Sequence, residues 1–368
     1  MPCFLRIIMK ILLLALSVCF VYALDSLPRE STQLHISKMQ SLDAQSPSFM
    51  RLQTTLGSTN FPLILKDFWF QTPFKTPAKS HIFLSFCEEI AMLDLWHDAL
   101  GLSQHVFKEP LLRLSNPRID SLPAVGGGSG SSINPETLKT LNPDVVIVWA
   151  GDKRLVEFSR KLGVAILAFY PQNIDELFVN MGQIAQVFDK QDLFLQKARY
   201  ALALLDSLQK PPKDSQKKVI YVWDKLTRIA GNTGMVGDML ERVGVQSMGA
   251  SVALDSYEVS LESLINFNPE VIFLWGGSPL AEKDLYDNPQ LQNLKAIQQR
   301  QVYKLPKWDN WGVRITQTAL LVSALSYPKM YDYKEVKTQI QTLNATLFGL
   351  QDFPERIELL ERVRNAPQ

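Results

Sequence analysis

Cysteine is nearly missing from this chain. There are three in 368 residues, and Cys3 and Cys19 both fall in the first twenty positions. If a leader is cut away, only Cys87 is left; one thiol cannot close an internal disulfide, so a hydrophobic core has to hold the fold. An excess of either charge is missing too. With 38 Lys and Arg against 37 Asp and Glu, the chain has no field to gather nucleic acid or an anionic membrane surface, and neither partner is expected. Histidine is sparse. His35, His81, His97 and His105 are scattered without metal-ligand spacing, which argues against a bare metal ion held by protein side chains alone. Nucleotide and esterase signatures are missing as well: no G-x-G-x-x-G opens a helix, no G-K-[ST] loop is found, and Ser129 lacks the glycine spacing of a nucleophile elbow. An enzyme is therefore disfavoured.

What is present is a duplication. I-N-P-E-T-L-K-T-L-N-P-D-V-V-I-V-W-A-G over Ile133 to Gly151 is answered by V-S-L-E-S-L-I-N-F-N-P-E-V-I-F-L-W-G-G over Val259 to Gly277, with a constant offset (Glu136 to Glu262, Trp149 to Trp275). Asn134 and Ser260 are placed to cap a short helix, and Pro135 is tolerated at its first position. Asn142-Pro143 and Asn268-Pro269 end each helix, because the residue before proline is driven out of the helical region. The strands that follow, Val145 to Trp149 and Val271 to Trp275, are apolar without alternation, as in a parallel sheet covered on both faces. Ligands gather at the carboxyl ends of such strands. Two α/β lobes with a tryptophan at that end of each predict a bilobed molecule with a cleft between the lobes.

The N-terminus reads as a secretory leader: Arg6 and Lys10, then Ile11 to Val21, then Val21-Tyr22-Ala23. Residues 1–23 are expected to be a signal peptide and the protein to be exported to the periplasm. Leu16-Ser17-Val18-Cys19 is close to a lipobox, but bulky Val18 argues against a lipid anchor at Cys19. Residues 24–60 read as a polar arm without a sustained period. The first lobe is expected over 61–173, with a hairpin over Phe61 to Thr76, a strand over His81 to Phe86 and a helix over Glu88 to Leu100 stopped by Gly101. Helical spacing over Ile174 to Leu208 predicts one stiff spine within 174–210. The second lobe follows over 211–349, with strands at Lys217 to Asp224 and Gln301 to Leu305 and a helix over Ile315 to Ser326. A helical tail over Asp352 to Asn365 falls within 350–368.

This plan resembles the class III periplasmic substrate-binding proteins of ABC importers. The likeness is carried by Leu122-Pro123-Ala124-Val125-Gly126, by Asn134-Pro135-Glu136 with Leu141-Asn142-Pro143-Asp144-Val145-Val146-Ile147, and by Trp311-Gly312-Val313-Arg314. It implies two Rossmann-like lobes joined by a single long interdomain helix, and a monomer that passes its cargo to an ABC permease dimer in the inner membrane. In such proteins a glutamate on each lobe docks on the permease; Glu136 and Glu262 stand at the matching places, where a carboxylate in the first turn also gains about 0.3–1 kcal/mol from the helix dipole. Ligand contacts are implied at Trp149, Trp223 and Tyr257, and at Trp308 and Asn310 with Asp309 between them. Each tryptophan is otherwise a plug of its lobe's core. Aromatic faces suit a large, flat or cationic cargo. Arg314 and Arg228 offer forked donors to an anion, or else make surface or interlobe salt bridges. Gly128 and Ser129 sit in a glycine loop suited to an oxyanion, or merely a flexible connection. An iron chelate, a siderophore or haem-like complex, is the expected cargo. A molybdate- or tungstate-type oxyanion, nickel and cobalamin are the alternatives, although the glycine loop lacks the aromatic residue of corrinoid binders. No cofactor is expected.

Overall fold

A computed structural model describes residues 46–127 and 134–350. The leader with Cys19, the arm up to Gln45, Gly128 and Ser129 of the glycine loop, and the expected tail helix lie outside the described residues. Among the described residues no helix is long and apolar enough to cross a membrane.

The end of the expected polar arm is a helix, α1 (Pro47–Leu56). Ser46 caps it, accepting from the Phe49 amide, and Pro47 takes the first position. Its apolar face is short, Phe49 and Leu52 with Leu56, which is why no sustained period marks it. The Ser46 and Ser48 hydroxyls donate to the Asp206 carboxylate at 2.7 and 2.6 Å. A hairpin of β1 (Leu63–Lys66) and β2 (Gln71–Phe74) follows, as expected.

The first sheet is parallel throughout. β3 (His81–Phe83) lies at its centre, flanked by β4 (Ala99–Ser103) and β5 (Ala124–Gly126) on one side and β6 (Val145–Trp149) and β7 (Ile166–Phe169) on the other. Chain order thus reverses at β3, the doubly wound pattern that places ligands at the carboxyl ends of strands. α2 (Glu88–Met92) is much shorter than the helix expected up to Leu100. Asp94 turns left-handed (φ 54°), and the chain enters β4, where Gly101 is a strand residue rather than a helix stop. A Cβ on Gly101 would come within 2.2 Å of Val125 Cγ2, so glycine permits β4 to approach β5. α3 (Pro110–Ser115), α4 (Pro135–Leu141) and α5 (Lys153–Lys161) complete this half.

The expected single spine is two helices, α6 (Ile174–Val187) and α7 (Gln191–Asp206). Asp189 is left-handed (φ 56°), and Phe188 turns inward, 5.4 Å from the His81 ring and 6.0 Å from that of Phe83. Apolar spacing resumes after the turn, so the periodicity hides the break. α7 packs against α1, α6 and two later helices, α12 (Ile315–Ser326) and α13 (Tyr333–Phe348), and leads into the second sheet.

There β8 (Lys218–Val222) is central. It pairs in parallel with β12 (Val271–Leu274), which pairs with β13 (Val302–Lys304); on its other side lie β10 (Gln246–Ser247) and antiparallel β9 (Arg228–Ala230), with β11 (Ser256–Glu258) beyond β9. α8 (Gly234–Val243), α9 (Leu261–Phe267), α10 (Glu282–Tyr286) and α11 (Lys295–Gln298) connect these strands.

The duplicated unit behaves as its residues dictate. The Asn134 side chain accepts from the Glu136 and Thr137 amides, both at 3.1 Å, and Ser260 Oγ from the Ser263 amide at 3.0 Å. α4 and α9 both end on a left-handed asparagine, Asn142 (φ 47°) and Asn268 (φ 51°), asparagine being among the few non-glycine residues that visit this region readily. In β6, Val145 and Ile147 face a core shared with the second sheet, whereas Val146 and Val148 face an outer cluster. In β8, Val219 and Tyr221 face the shared core and Ile220 and Val222 a second outer cluster. Both strands are covered on two sides, which is why neither alternates.

Candidate functional site

The carboxyl ends of the two sheets present aromatic rings, and these meet. Trp149 ends β6, its amide donating to Ser85 Oγ at 2.9 Å. Phe86 after β3 lies 5.8 Å from it and Tyr170 after β7 5.1 Å, edge-on. From the second sheet, Trp223 follows β8 and Trp275 follows β12, 5.7 Å apart. Trp311, in the loop between β13 and α12, closes the gap: it stacks on Trp223 at 5.5 Å with planes 21° apart and meets Trp149 edge-on at 6.1 Å. Such offset and edge-to-face pairs are favourable beyond their buried area. Trp223 is 6% exposed, and its Nε1 has no acceptor among the described residues; Trp149, Trp275 and Trp311 are half-buried.

Beneath the rings lies a buried ionic group joining the halves. Arg314, 1% exposed, donates from Nε to Glu88 Oε1 at 2.7 Å and from Nη2 to Glu109 Oε1 at 2.9 Å. Gly312 makes room for Glu88, whose Oε2 would lie 2.9 Å from any Cβ there. Asp309 is held by the Trp311 amide at 2.9 Å. Three carboxylates around one guanidinium cannot all ionise cheaply in a water-poor place. Burial pushes Glu88 up to about 8 in spite of Arg314, and burial also raises Glu109 and Asp309. Neighbouring Glu89, with neither oxygen partnered among the described residues, is driven by burial well above the carboxylate range. The same burial, aided by Asp309, Glu88 and Glu89, raises the Cys87 thiol.

Of the residues singled out from sequence, Trp149 and Trp223 belong to one aromatic row. Arg314 is an interlobe strut, its fork occupied by two glutamates. Asn310 is buried and donates from Nδ2 to the Tyr221 hydroxyl at 2.7 Å. Trp308 is buried in the shared core. Tyr257 points elsewhere: beside Ile229 on the outer face of the second sheet, it donates to the Met248 carbonyl at 3.2 Å. Arg228 is exposed beside the Trp223 backbone, engaged with Asp224 at 3.6 Å and with Ser256 Oγ at 3.2 Å. Glu136 and Glu262 are both exposed in the first turns of α4 and α9. Each of these helices leads back into a parallel strand, so both carboxylates start from the edge that carries the tryptophans. Sequence reasoning missed the roles of Trp311, Phe86 and Tyr170. The available signal was position, each lying in the stretch that follows a strand. Among the described residues no group of three or more His, Cys, Asp or Glu is arranged to hold a metal ion.

Comparison with known proteins agrees with this geometry. Residues 95–308 match the family described as periplasmic binding protein. The molybdate-binding protein MolA of Haemophilus influenzae is 24% identical over 259 residues, 63% of this chain and 70% of MolA; its molybdate-bound structure superposes with a TM-score of 0.69, covering 80% of this chain and 99% of that one at 17% identity. Helicobacter pylori CeuE, solved as a Ni-His complex, superposes with a TM-score of 0.68 at 26% identity, covering 79% of this chain and 96% of CeuE. The heme binding protein HmuT shares the fold, with a TM-score of 0.56 at 21% identity over 74% of this chain and 92% of HmuT. The duplicated lobes, the aromatic strand ends and the match over more than half its length make the chain a member of the class III periplasmic binding protein family of ABC transporters.

Proposed function

We propose that this protein captures a metal chelate, an iron chelate first of all, on the aromatic row and delivers it to a permease dimer that docks on Glu136 and Glu262. The observation that carries the reading is the row itself: Phe86, Tyr170 and four tryptophans drawn from both sheets, with the candidate arginines already engaged by carboxylates. Aromatic faces recognise an organic shell, and the chelator supplies most of the metal's ligands, so few protein ligands are needed. CeuE in its Ni-His complex and HmuT, a heme binding protein, are relatives whose cargo is a metal complex. A molybdate-type oxyanion is the second reading, favoured by the likeness to MolA.

Titration of the protein with a ferric tris-catecholate, haem, nickel with histidine, and molybdate, followed by tryptophan fluorescence and calorimetry, separates the two. A coloured chelate binding one to one with strong quenching is expected. Trp149→Ala should weaken it by about ten- to a hundredfold, the effect of removing a central aromatic anchor. One-to-one binding of molybdate with no chelate binding would overturn the chelate reading.

A further inference from the structure

The aromatic row does not end at Trp149. Tyr170, 37% exposed, touches Trp149 on one side and the Phe68 ring on the other, at 5.8 Å. Phe68 is 53% exposed and sits at the tip of the β1–β2 hairpin, before the stretch that matches the family. That tip is held firmly. The buried Asp67 carboxylate accepts from the amides of Trp69 at 2.8 Å, Phe70 at 2.5 Å and Ala168 at 3.1 Å, and the Phe68 amide donates to the Ala168 carbonyl at 2.9 Å. Covering the edge of β7 accounts for these backbone bonds, and packing accounts for Trp69 and Phe70, which lie on the outer cluster of the first sheet. The Phe68 ring meets Trp69 edge-on at 5.7 Å, yet it belongs to none of the core clusters and stays 53% exposed. A rigid turn thus holds a half-exposed ring in line with the row.

We infer that Phe68 and Tyr170 form an outer aromatic subsite, continuous with Trp149, that grips the organic shell of the cargo and favours chelates whose outer surface carries aromatic rings. This rests on the chelate reading above. From Trp223 exposure rises through Trp149 to Tyr170 and Phe68, so a bulky ligand can reach the first-lobe end. Rings that meet such a shell face-on or edge-on hold it without contacting the metal.

The test uses the full chain and a ferric tris-catecholate, with affinity and thermal midpoint measured together. Phe68→Ala and Tyr170→Ala should each weaken binding by about three- to tenfold. Phe68→Tyr should retain affinity where Phe68→Leu does not, and this ring-dependent rescue is a pattern that loosening of the hairpin would not give. Unchanged affinity in Phe68→Ala, while Trp149→Ala still weakens binding, would sink the subsite and leave the chelate reading standing. Equal affinity of the Leu and Tyr variants would remove the aromatic preference, and intact affinity with lost uptake would mean that the ring serves the permease. If the unsubstituted protein binds none of ferric tris-catecholate, haem and nickel with histidine, the chelate reading fails and the subsite with it.

Discussion

Replacing Glu88 by Gln tests the buried ionic group directly. Glutamine keeps the shape and can still accept from Arg314 Nε, which reaches Glu88 at 2.7 Å, but it cannot titrate. In the folded protein burial holds Glu88 at about 8, above its usual 4.5; unfolded, it ionises near the usual value. Between these limits the native state keeps a proton that the unfolded chain has released. Its contribution is therefore fully present below about pH 4.5 and is lost as pH rises through 8, at most about 1.4 kcal/mol per pH unit for one whole proton. That slope corresponds to about 2 °C in Tm per pH unit for a chain of this length. Thermal unfolding of both proteins at pH 5.5, 6.5, 7.5 and 8.5, at constant ionic strength, should show Glu88→Gln gaining on the parent by that amount per unit up to about pH 8. Glu109, Glu89 and Asp309, also raised by burial, are common to both proteins and largely drop out of the difference. Parallel curves would mean that Glu88 does not titrate there. That is the outcome if Arg314 overcomes burial and keeps Glu88 ionised in both states, and it would refute the argument that three carboxylates share one guanidinium.

Two further outcomes follow from other parts of the molecule. Charge reversal at both exposed carboxylates, Glu136→Lys with Glu262→Lys, should abolish uptake in cells and leave ligand affinity in solution unchanged, since neither residue belongs to the aromatic row; a loss of affinity would assign them to the site or the fold. His81 is buried, hydrogen-bonded through Nε2 to the Leu95 carbonyl at 2.8 Å, and burial lowers it to about 4. Its contribution is present above about pH 6.5 and lost as pH falls through 4, so His81→Phe, which keeps a ring against Phe83 and Phe188, should lose less Tm than the parent between pH 6.5 and 4.5. Equal losses would show that His81 takes up no proton on unfolding.

The parts of the fold that were legible in sequence are those decided locally. Asn134 and Ser260 as caps, Asn142-Pro143 and Asn268-Pro269 as helix stops, the doubly covered strands and α12 over Ile315 to Ser326 all follow from neighbours within a few residues. The break at Asp189 was illegible because apolar spacing serves two packed helices as well as one long one. α1 was hidden by the shortness of its apolar face. In the site, legibility stopped where contacts span the chain: Arg314 meets Glu88 and Glu109 across 226 and 205 residues, so sequence left open whether it would face an anion or bridge the lobes. Trp311 was legible as part of a motif, but its stacking on Trp223 and its contact with Trp149 arise only when the two sheets close on each other.

Duplication set the architecture, and divergence around it has made the two halves unequal. Trp149 and Trp275 occupy equivalent places in the repeat, yet Trp149 opens toward Tyr170 and Phe68, whereas Trp275 lies against Trp223, with Gly277 so close that a Cβ there would come within 2.6 Å of its ring. Trp223 is in turn covered by Trp311. The second lobe therefore closes the inner end of the row and the first lobe presents the outer end. Arg314, reaching from the second lobe into a buried pair of first-lobe glutamates, fixes the lobes under this row. Removing one partner of such a pair is strongly unfavourable, so large separation of the lobes is resisted at this point. Under the proposal above, a cargo meets rings already in place, with the lobes moving little, and the permease meets Glu136 and Glu262 at a spacing set by the fold.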